Sequence, residues 1–147
     1  MQRDLFIAQL PFRAKQMISH VNIGITDFDR AYEFYSAIMR ELGLQLKFSD
    51  PQKPWAGWVR RDAPRPLFLI SQPFDGNAAS PGNGQMVALL APNREAVDRA
   101  YSQALALGGK CEGKPGLRPQ YHEHYYGAYF RDPDENKICV CCHDAVG

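Results

Sequence analysis

Features that would place a chain in a specialised class are missing from this sequence. No apolar run approaches the ~20 residues that a membrane-spanning helix needs. The charge is almost balanced, with 17 Lys and Arg against 16 Asp and Glu. Nucleic-acid-binding proteins usually carry clustered basic charge, whereas the densest group here, Arg60, Arg61 and Arg65, is typical of a solvated turn. We therefore expect neither a membrane nor a nucleic acid among the partners.

A secretory signal is also not recognisable. Residues 5–10 form a short apolar stretch, but Asp4 precedes it and Pro11 follows it. A signal peptide has a basic start, a longer apolar stretch and a small-residue cleavage site. We expect a cytoplasmic protein.

The four cysteines are unevenly distributed. Cys139, Cys141 and Cys142 lie within four positions, and Cys111 stands alone. Neighbours this close cannot form ordinary unstrained bridges with one another, so at most one normal disulfide is possible. We expect reduced thiols, in agreement with a cytoplasmic location.

An internal repeat organises the chain. In residues 17–44, an alternating apolar strand is followed by a helical pattern, and residues 83–109 repeat this plan. Each predicted helix has an N-capping residue before it and a glycine after it. One constant shift along the chain aligns Asp27 with Asn93, Tyr35 with Tyr101, and Gly43 with Gly109.

Later hairpins repeat as well, with a slightly larger shift. Trp58 then aligns with Tyr129, and residues 67–71 align with residues 138–142. Each module is therefore predicted to contain a strand, a helix and three further short strands. The short strands are expected at 43–48, 55–60 and 66–71 in the first module, and at 109–113, 126–131 and 137–142 in the second. Asp132 and Asp134, between the last two strands, are interpreted as turn residues.

These patterns predict one α+β domain built from two βαβββ modules. Residues 17–72 form the first module, 73–82 a linker rich in Pro, Gly, Asn and Ser, and 83–143 the second module. Residues 1–16 are an N-terminal extension, and residues 144–147 are a tail. Joining two small modules buries a sheet face that each would otherwise expose. We expect a curved mixed sheet with helices outside and a concave cavity inside.

The duplicated pattern resembles the vicinal oxygen chelate superfamily, which includes glyoxalase I, bleomycin-resistance proteins and extradiol dioxygenases. The resemblance extends from residue 17 to residue 143. It is carried by His20 in SHVNI, by Asp27, Phe34-Tyr35 and Leu42-Gly43, by GNGQMVALLAPNREAVDRAY, by PGLRPQYHEHYYGAYFRDPDENKI, and by Cys142-His143. The fold does not specify the reaction, because this superfamily includes lyases, epimerases, dioxygenases and metal-free binders.

In catalytic relatives, the resemblance implies four strand positions that hold a divalent metal, which chelates two adjacent substrate oxygens. The two shifts place His20, Met86, Phe68 and Cys139 at these positions. A phenyl ring cannot ligate, and a thioether is a poor ligand for hard cations. We therefore expect the standard metal site to be lost and no cofactor to be bound. Alternatively, His20 and Cys139, with Met86 and Cys141, form a soft set for copper or zinc.

Two segments supply candidate site residues. On the first strand, His20 shares a face with Asn22, which indicates a pocket wall, a general base or a surviving ligand. In RPQYHEHYYGAYF, His122 is a candidate acid or base, or part of a loop that covers the cavity mouth. The predicted ligand-binding side chains are Asn22, Phe68, Met86, Arg118, Tyr121, Tyr126 and Cys139.

We prefer a protein that binds a small organic molecule without the standard metal. The alternative is a metal-dependent lyase or dioxygenase in which His20 and His122 are catalytic, and a third possibility is a purely structural module. The resemblance also implies a homodimer.

Overall fold

The structure, a computed structural model, describes residues 17–146. The first module contains β1 (His20–Gly24), α1 (Phe28–Glu41), β2 (Gln45–Asp50), β3 (Trp55–Val59) and β4 (Leu67–Ser71). The second contains β5 (Val87–Leu90), α2 (Arg94–Ala106), β6 (Lys110–Leu117), β7 (Tyr126–Arg131) and β8 (Lys137–Cys142). The predicted duplicated α+β fold is confirmed. The predicted extension over residues 1–16 lies outside the described residues.

Both helices begin where the sequence places a cap. Asp27 accepts a hydrogen bond from the Arg30 backbone N–H, and Asn93 accepts one from that of Ala96. Each helix has one buried stripe, formed in α1 by Ala31, Phe34, Tyr35, Ile38 and Met39, and in α2 by Ala96, Val97, Ala100, Tyr101 and Ala104. Neither described helix has the length and hydropathy needed to cross a membrane.

Each module contains one open, four-stranded mixed sheet. The strand order is β1-β4-β3-β2 in the first sheet and β5-β8-β7-β6 in the second. The β1–β4 and β5–β8 pairs are parallel, and the other pairs are antiparallel. Because β1 and β5 are both edge strands among residues 17–146, the two sheets as described there are open and do not close into a barrel.

A single core joins the two modules on the sides of the sheets that face the helices. The helices pack against each other, and Phe34 of α1 meets Phe130 of β7 edge-on, with 6.0 Å between ring centroids. Apolar side chains from both helices and both sheets belong to this core. Its burial is the largest favourable contribution to the association of the modules.

A polar clasp holds the modules together at the β7–β8 turn. The buried carboxylate of Asp132 accepts hydrogen bonds from the Tyr35 hydroxyl of α1 and from the Asn136 amide. Asn136 also donates to the Gly24 carbonyl oxygen at 2.9 Å, and the Thr26 backbone N–H donates to Asp134 at 3.1 Å. The interpretation of both aspartates as turn residues is confirmed, and their side chains also connect the two modules.

The strand pairing corrects the repeat alignment in the later hairpins. Phe68 is paired with Val21 in the first module, and Ile138 is paired with Val87 in the second. Because Val21 and Val87 are related by the same shift that aligns the two helices, the counterpart of Phe68 is Ile138 and not Cys139. The true shift between β4 and β8 is therefore one position smaller than the predicted one.

The opposite error occurs in the preceding strand. Trp58 is paired with Phe68, and Phe130 is paired with Ile138, so Trp58 corresponds to Phe130 and not to Tyr129. The loop between the two strands spans residues 60–66 in the first module and residues 132–136 in the second, which is two residues shorter. A single shift applied to both strands is therefore one position too small for the strand before the loop and one position too large for the strand after it.

Candidate functional site

An error of one residue in the alignment of the two repeats assigns a side chain to the wrong face of its sheet. The corrected alignment therefore changes which predicted residues lie close together. Phe68 faces α1, with its ring centroid 5.1 Å from that of Tyr35. Cys139 points to the other face of its sheet, where its thiol lies 3.4 Å from the Tyr125 hydroxyl. The equivalence of Phe68 and Cys139 across the repeat is therefore wrong.

One cavity, larger than two others described below, lies on the second module. It has a volume of about 730 Å³ and is formed by the segment before β5, the loop between β6 and β7, and one face of β7 and β8. Strand alternation places Lys137, Cys139, Cys141 and His143 on the same side. The cavity is lined by Asn83, Gly84, Gln85, Met86, Tyr121, His122, Tyr125, Tyr129, Arg131, Lys137 and His143.

Local hydrogen bonds shape the loop that carries the aromatic side chains. The Arg118 backbone N–H donates to the Tyr125 carbonyl at 2.8 Å, and the Tyr121 N–H donates to the Arg118 carbonyl at 3.0 Å. These bonds close the loop at its base and direct Tyr121 and Tyr125 into the cavity, with 5.0 Å between their ring centroids.

Two histidines form a directed hydrogen-bond chain beside these tyrosines. Nδ1 of His122 accepts the backbone N–H of His124 at 3.2 Å, which assigns the His122 proton to Nε2. That Nε2–H then donates to Nδ1 of His143 at 2.8 Å. The remaining His143 proton therefore lies on Nε2, 3.6 Å from the sulfur of Cys141. In this chain each imidazole accepts a hydrogen bond at Nδ1 and carries its N–H on Nε2.

A thiol lies beneath the tyrosines. Cys139 is fully buried, which by itself raises the pKa of its thiol. The hydrogen bond from Cys141 has the larger effect and lowers this pKa to about 7. Hydrogen bonds from Tyr125 and Tyr129 and the charge of Arg118 act in the same direction. The pKa of Cys141 is raised by the same thiol pairing and by its own burial. Burial and the contact with Cys139 raise the pKa of Tyr125. A thiolate is thus best stabilised at Cys139.

Positive charge collects around Tyr129. The Arg118 guanidinium lies 5.5 Å from the centroid of this ring, and the Lys137 ammonium lies 5.7 Å from it. Both distances are within the range of cation–π attraction. Arg131 lines the same cavity and donates from Nε to the carboxylate of Glu112 at 3.0 Å.

The predicted site residues fall into separate groups. Met86, Tyr121 and His122 line the large cavity, and Met86 also lines two smaller ones. Phe68 lines an apolar cavity of about 410 Å³, and Asn22 lines a third cavity of about 390 Å³.

Four further predicted residues do not line the large cavity. His20 is exposed on β1, with Nδ1 2.9 Å from the Ser19 hydroxyl. Cys139 is buried behind Tyr125, and Arg118 bonds to the Lys114 carbonyl at 2.7 Å. Tyr126 packs on the helix side of its sheet and donates to Asp98 of α2 at 2.6 Å.

The predicted site residues do not include Tyr129, Lys137 and His143, and Tyr125 is predicted only as a further hydroxyl donor and stacking surface of the segment RPQYHEHYYGAYF. The signal for Lys137 and His143 is the alternation of β8 and its continuation, which places them on one face with Cys139. Tyr129 is paired with Cys139 in the sheet and therefore joins that face. Tyr125 is placed by the loop closure, for which the local sequence has no periodic signal.

Comparison with known proteins identifies the family. The model of the glyoxalase/bleomycin resistance protein/dioxygenase superfamily matches residues 17–140. This chain belongs to that superfamily. It is 33% identical to a glyoxalase/bleomycin resistance protein from Albidiferax ferrireducens T118, whose crystal structure superposes with a TM-score of 0.77 and covers 88% of this chain and 100% of the other.

Two other comparisons cover most of the chain. An uncharacterized protein of Bacillus subtilis (strain 168), YraH, is 27% identical over 124 residues, which is 80% of this chain and 91% of YraH. TnmS3, an antibiotic binding protein from Streptomyces sp. CB03234, has the same fold, with 17% identity, a TM-score of 0.58, and coverage of 88% and 97%.

The divalent metal implied by the catalytic superfamily members does not fit the side chains present. Within residues 17–146, no three His, Cys, Asp or Glu side chains approach closely enough to hold an ion. His20 and Cys139, the candidate ligands, lie on different sheets. Met86 offers only a thioether, which is a poor ligand for hard cations.

Proposed function

We propose that this protein binds a small, planar organic molecule in the large cavity of the second module, without the standard metal of its superfamily. The observation that carries this proposal is the concentration of flat, conjugated side chains in one cavity: Tyr121, Tyr125, Tyr129, His122 and His143. A volume of about 730 Å³ lies within the usual range for small-molecule sites. TnmS3 supports the proposal, because it is a protein of this fold that binds an antibiotic.

Stacking is the interaction that this lining supports best. Aromatic pairs prefer offset-stacked or edge-on arrangements with centroids about 4.5–7 Å apart. Tyr121 is 62% exposed, so that one face of its ring is available, and its edge contact with Tyr125 holds it at the cavity. A planar ligand would therefore lie against the available face of Tyr121, next to the cluster that Tyr125 forms with the stacked pair His122 and His143.

A titration with 2-naphthamide, a neutral planar probe, tests the proposal. We expect saturable binding by calorimetry, and we expect Tyr121→Ala to weaken it roughly 5- to 10-fold, since an aromatic contact contributes about 1 kcal/mol. Phe74→Ala is the matched control, because Phe74 is fully exposed and lines none of the three cavities. Failure of the intact protein to bind, or equal affinity for Tyr121→Ala, would show that the cavity does not bind planar molecules by stacking.

The enzymatic alternative is tested by the same protein after addition of nickel, zinc or ferrous iron. Under our proposal, no added ion produces turnover that a chelator removes. Metal-dependent turnover lost in His20→Ala would instead establish a lyase or dioxygenase activity.

We also propose that the protein forms a homodimer and works in a reducing compartment. The edges and open faces of both sheets leave large apolar side chains exposed, among them Leu46, Trp55 and Leu90. A partner copy would cover such groups. The free state of all four cysteines supports a reducing environment. Sedimentation analysis that finds only monomer at tens of micromolar protein would reject the dimer.

A further inference from the structure

The lining that the described residues give the large cavity is positively charged. Arg131 and Lys137 line it from adjacent strands, together with His122 and His143. Within residues 17–146, no Asp or Glu side chain is among the residues that form it. A cavity lined by one sign of charge concentrates ligands of the opposite sign.

The positive charges are only partly compensated. The Glu112 carboxylate is bound by Arg131, which is the main cause of its lowered pKa, and the charge of Lys137 contributes to the same effect. Among the described residues, no carboxylate lies within 4.0 Å of the Lys137 ammonium. Arg118 adds a further positive charge beside the Tyr129 ring. The Glu112 carboxylate is therefore shared by Arg131 and Lys137, and its ion pair is with Arg131.

The position of Lys137 makes it the group that would meet an anion. It is half-buried, and its ammonium remains beside the Tyr129 ring, at the wall of the cavity. The Tyr129 hydroxyl is in turn held by the Tyr125 hydroxyl at 3.0 Å. The cation and the aromatic surface thus belong to one connected unit, so a ligand can use both at once.

We infer that the ligand of this cavity is an aromatic or conjugated carboxylate. Its planar part stacks on Tyr121 and Tyr125, and its carboxylate is paired with the Lys137 ammonium, with Arg131 close by. This inference rests on the proposed function and adds the charge of the ligand to it. Charge-assisted hydrogen bonds are shorter and stronger than neutral ones, so the pairing selects the anion over a neutral analogue of equal shape.

Two probes of nearly equal shape separate charge from stacking: 2-naphthoate and 2-naphthamide. We expect the intact protein to bind 2-naphthoate about 10-fold more tightly at low salt, because a hydrogen bond to a charged group contributes about 1.5 kcal/mol. The ratio should fall as salt is added, since the contact is partly exposed to solvent. Calorimetry in parallel titrations measures both affinities.

Variants at one position then test the assignment. In Lys137→Met, the ratio of the two affinities should fall to about one, and in Lys137→Arg, which keeps the charge, it should stay near that of the intact protein. Lys47→Met is the matched control, since Lys47 is an exposed lysine on β2 of the other module, and it should change neither affinity. Thermal unfolding of each variant confirms that it is folded.

The outcomes distinguish the proposed function from the inferred charge of its ligand. If neither naphthoate nor naphthamide binds, the proposed function fails. If both bind equally well to the intact protein, the planar site remains and the anionic ligand is refuted. A preference for naphthoate that persists in Lys137→Met refutes the role of this lysine.

Discussion

Removal of the Tyr35 hydroxyl tests how the two modules are held together. This hydroxyl donates to the fully buried carboxylate of Asp132, which also accepts the Asn136 amide at 2.9 Å and the backbone N–H groups of Asp134 and Asn136 at 2.8 and 2.9 Å. Tyr35→Phe keeps the ring, with its 5.1 Å contact to Phe68, and removes one donor of the clasp.

The expected cost follows from the charge of the acceptor. Hydrogen bonds to charged groups contribute about 1.5–3 kcal/mol, and the three remaining donors limit the loss, so we expect a fall of about 2 kcal/mol in the free energy of unfolding. For a domain of this size, this corresponds to a decrease in Tm of roughly 4–8 °C. Tyr32→Phe is the matched control, because Tyr32 also packs against Trp58 but none of the described residues binds its hydroxyl. It should change stability by less than about 0.5 kcal/mol.

The pH dependence gives a second measurement with a defined sign. Burial raises the pKa of Asp132, and the Tyr35 hydrogen bond acts against this. Protonation of Asp132 is thus more favourable in the folded protein than in the unfolded chain. The stability that this difference contributes at low pH is lost as the pH rises through the raised pKa of the folded state. In Tyr35→Phe, the pKa rises further, so that more stability is lost. The difference between the two proteins should be largest near pH 7 and shrink below the unfolded pKa of 3.8.

Chemical denaturation at several pH values measures this difference. A loss at neutral pH no larger than that of the Tyr32→Phe control, or a loss that is the same at pH 3 and pH 7, would refute the clasp as the structure describes it.

Two further predictions concern the buried thiol and the start of β6. The ultraviolet absorbance of the Cys139 thiolate should titrate with a midpoint near pH 7, and this transition should disappear in Cys139→Ser. Tyr125→Phe should raise the midpoint, because it removes a hydrogen-bond donor to the thiolate. A midpoint of 9 or above in the intact protein would contradict this prediction. The stability that this thiolate contributes is lost as the pH falls through about 7. Gly109→Ala should destabilise the fold by several kcal/mol, since the added Cβ would lie 2.7 Å from the Ala104 carbonyl oxygen and 2.9 Å from that of Arg131. Thermal unfolding of Gly109→Ala close to that of the intact protein would refute it.

The sequence alone predicts the elements well because their signals are local. The caps at Asp27 and Asn93 and the apolar spacing of both helices depend on backbone geometry within a few residues. The match of the first strand and helix across the repeat therefore identifies the duplicated βαβββ plan and the superfamily. Met86, which the resemblance places at a site position, lies in one cavity with Tyr121 and His122, which were predicted from their own segment.

Which residue of the second module corresponds to a given residue of the first depends on the lengths of the loops between them. An alignment with one constant shift does not take a difference in loop length into account. The shorter loop at residues 132–136 changes the position of β8 along the repeat, so that Ile138 and not Cys139 takes the place of Phe68. The same short loop contains the clasp residues Asp132 and Asn136, and the contact of Asp132 with Tyr35 connects positions 97 residues apart.

The amino-acid sequence by itself determined the helices, most of the strands and their duplication, because each is specified by residues close together in the chain. Only the tertiary structure decided which faces meet. The register of β8, the clasp between the modules and the meeting of His122 with His143 all arise from contacts between distant segments. Such contacts depend on how loops position one strand against another, and no periodic pattern in a single segment encodes that.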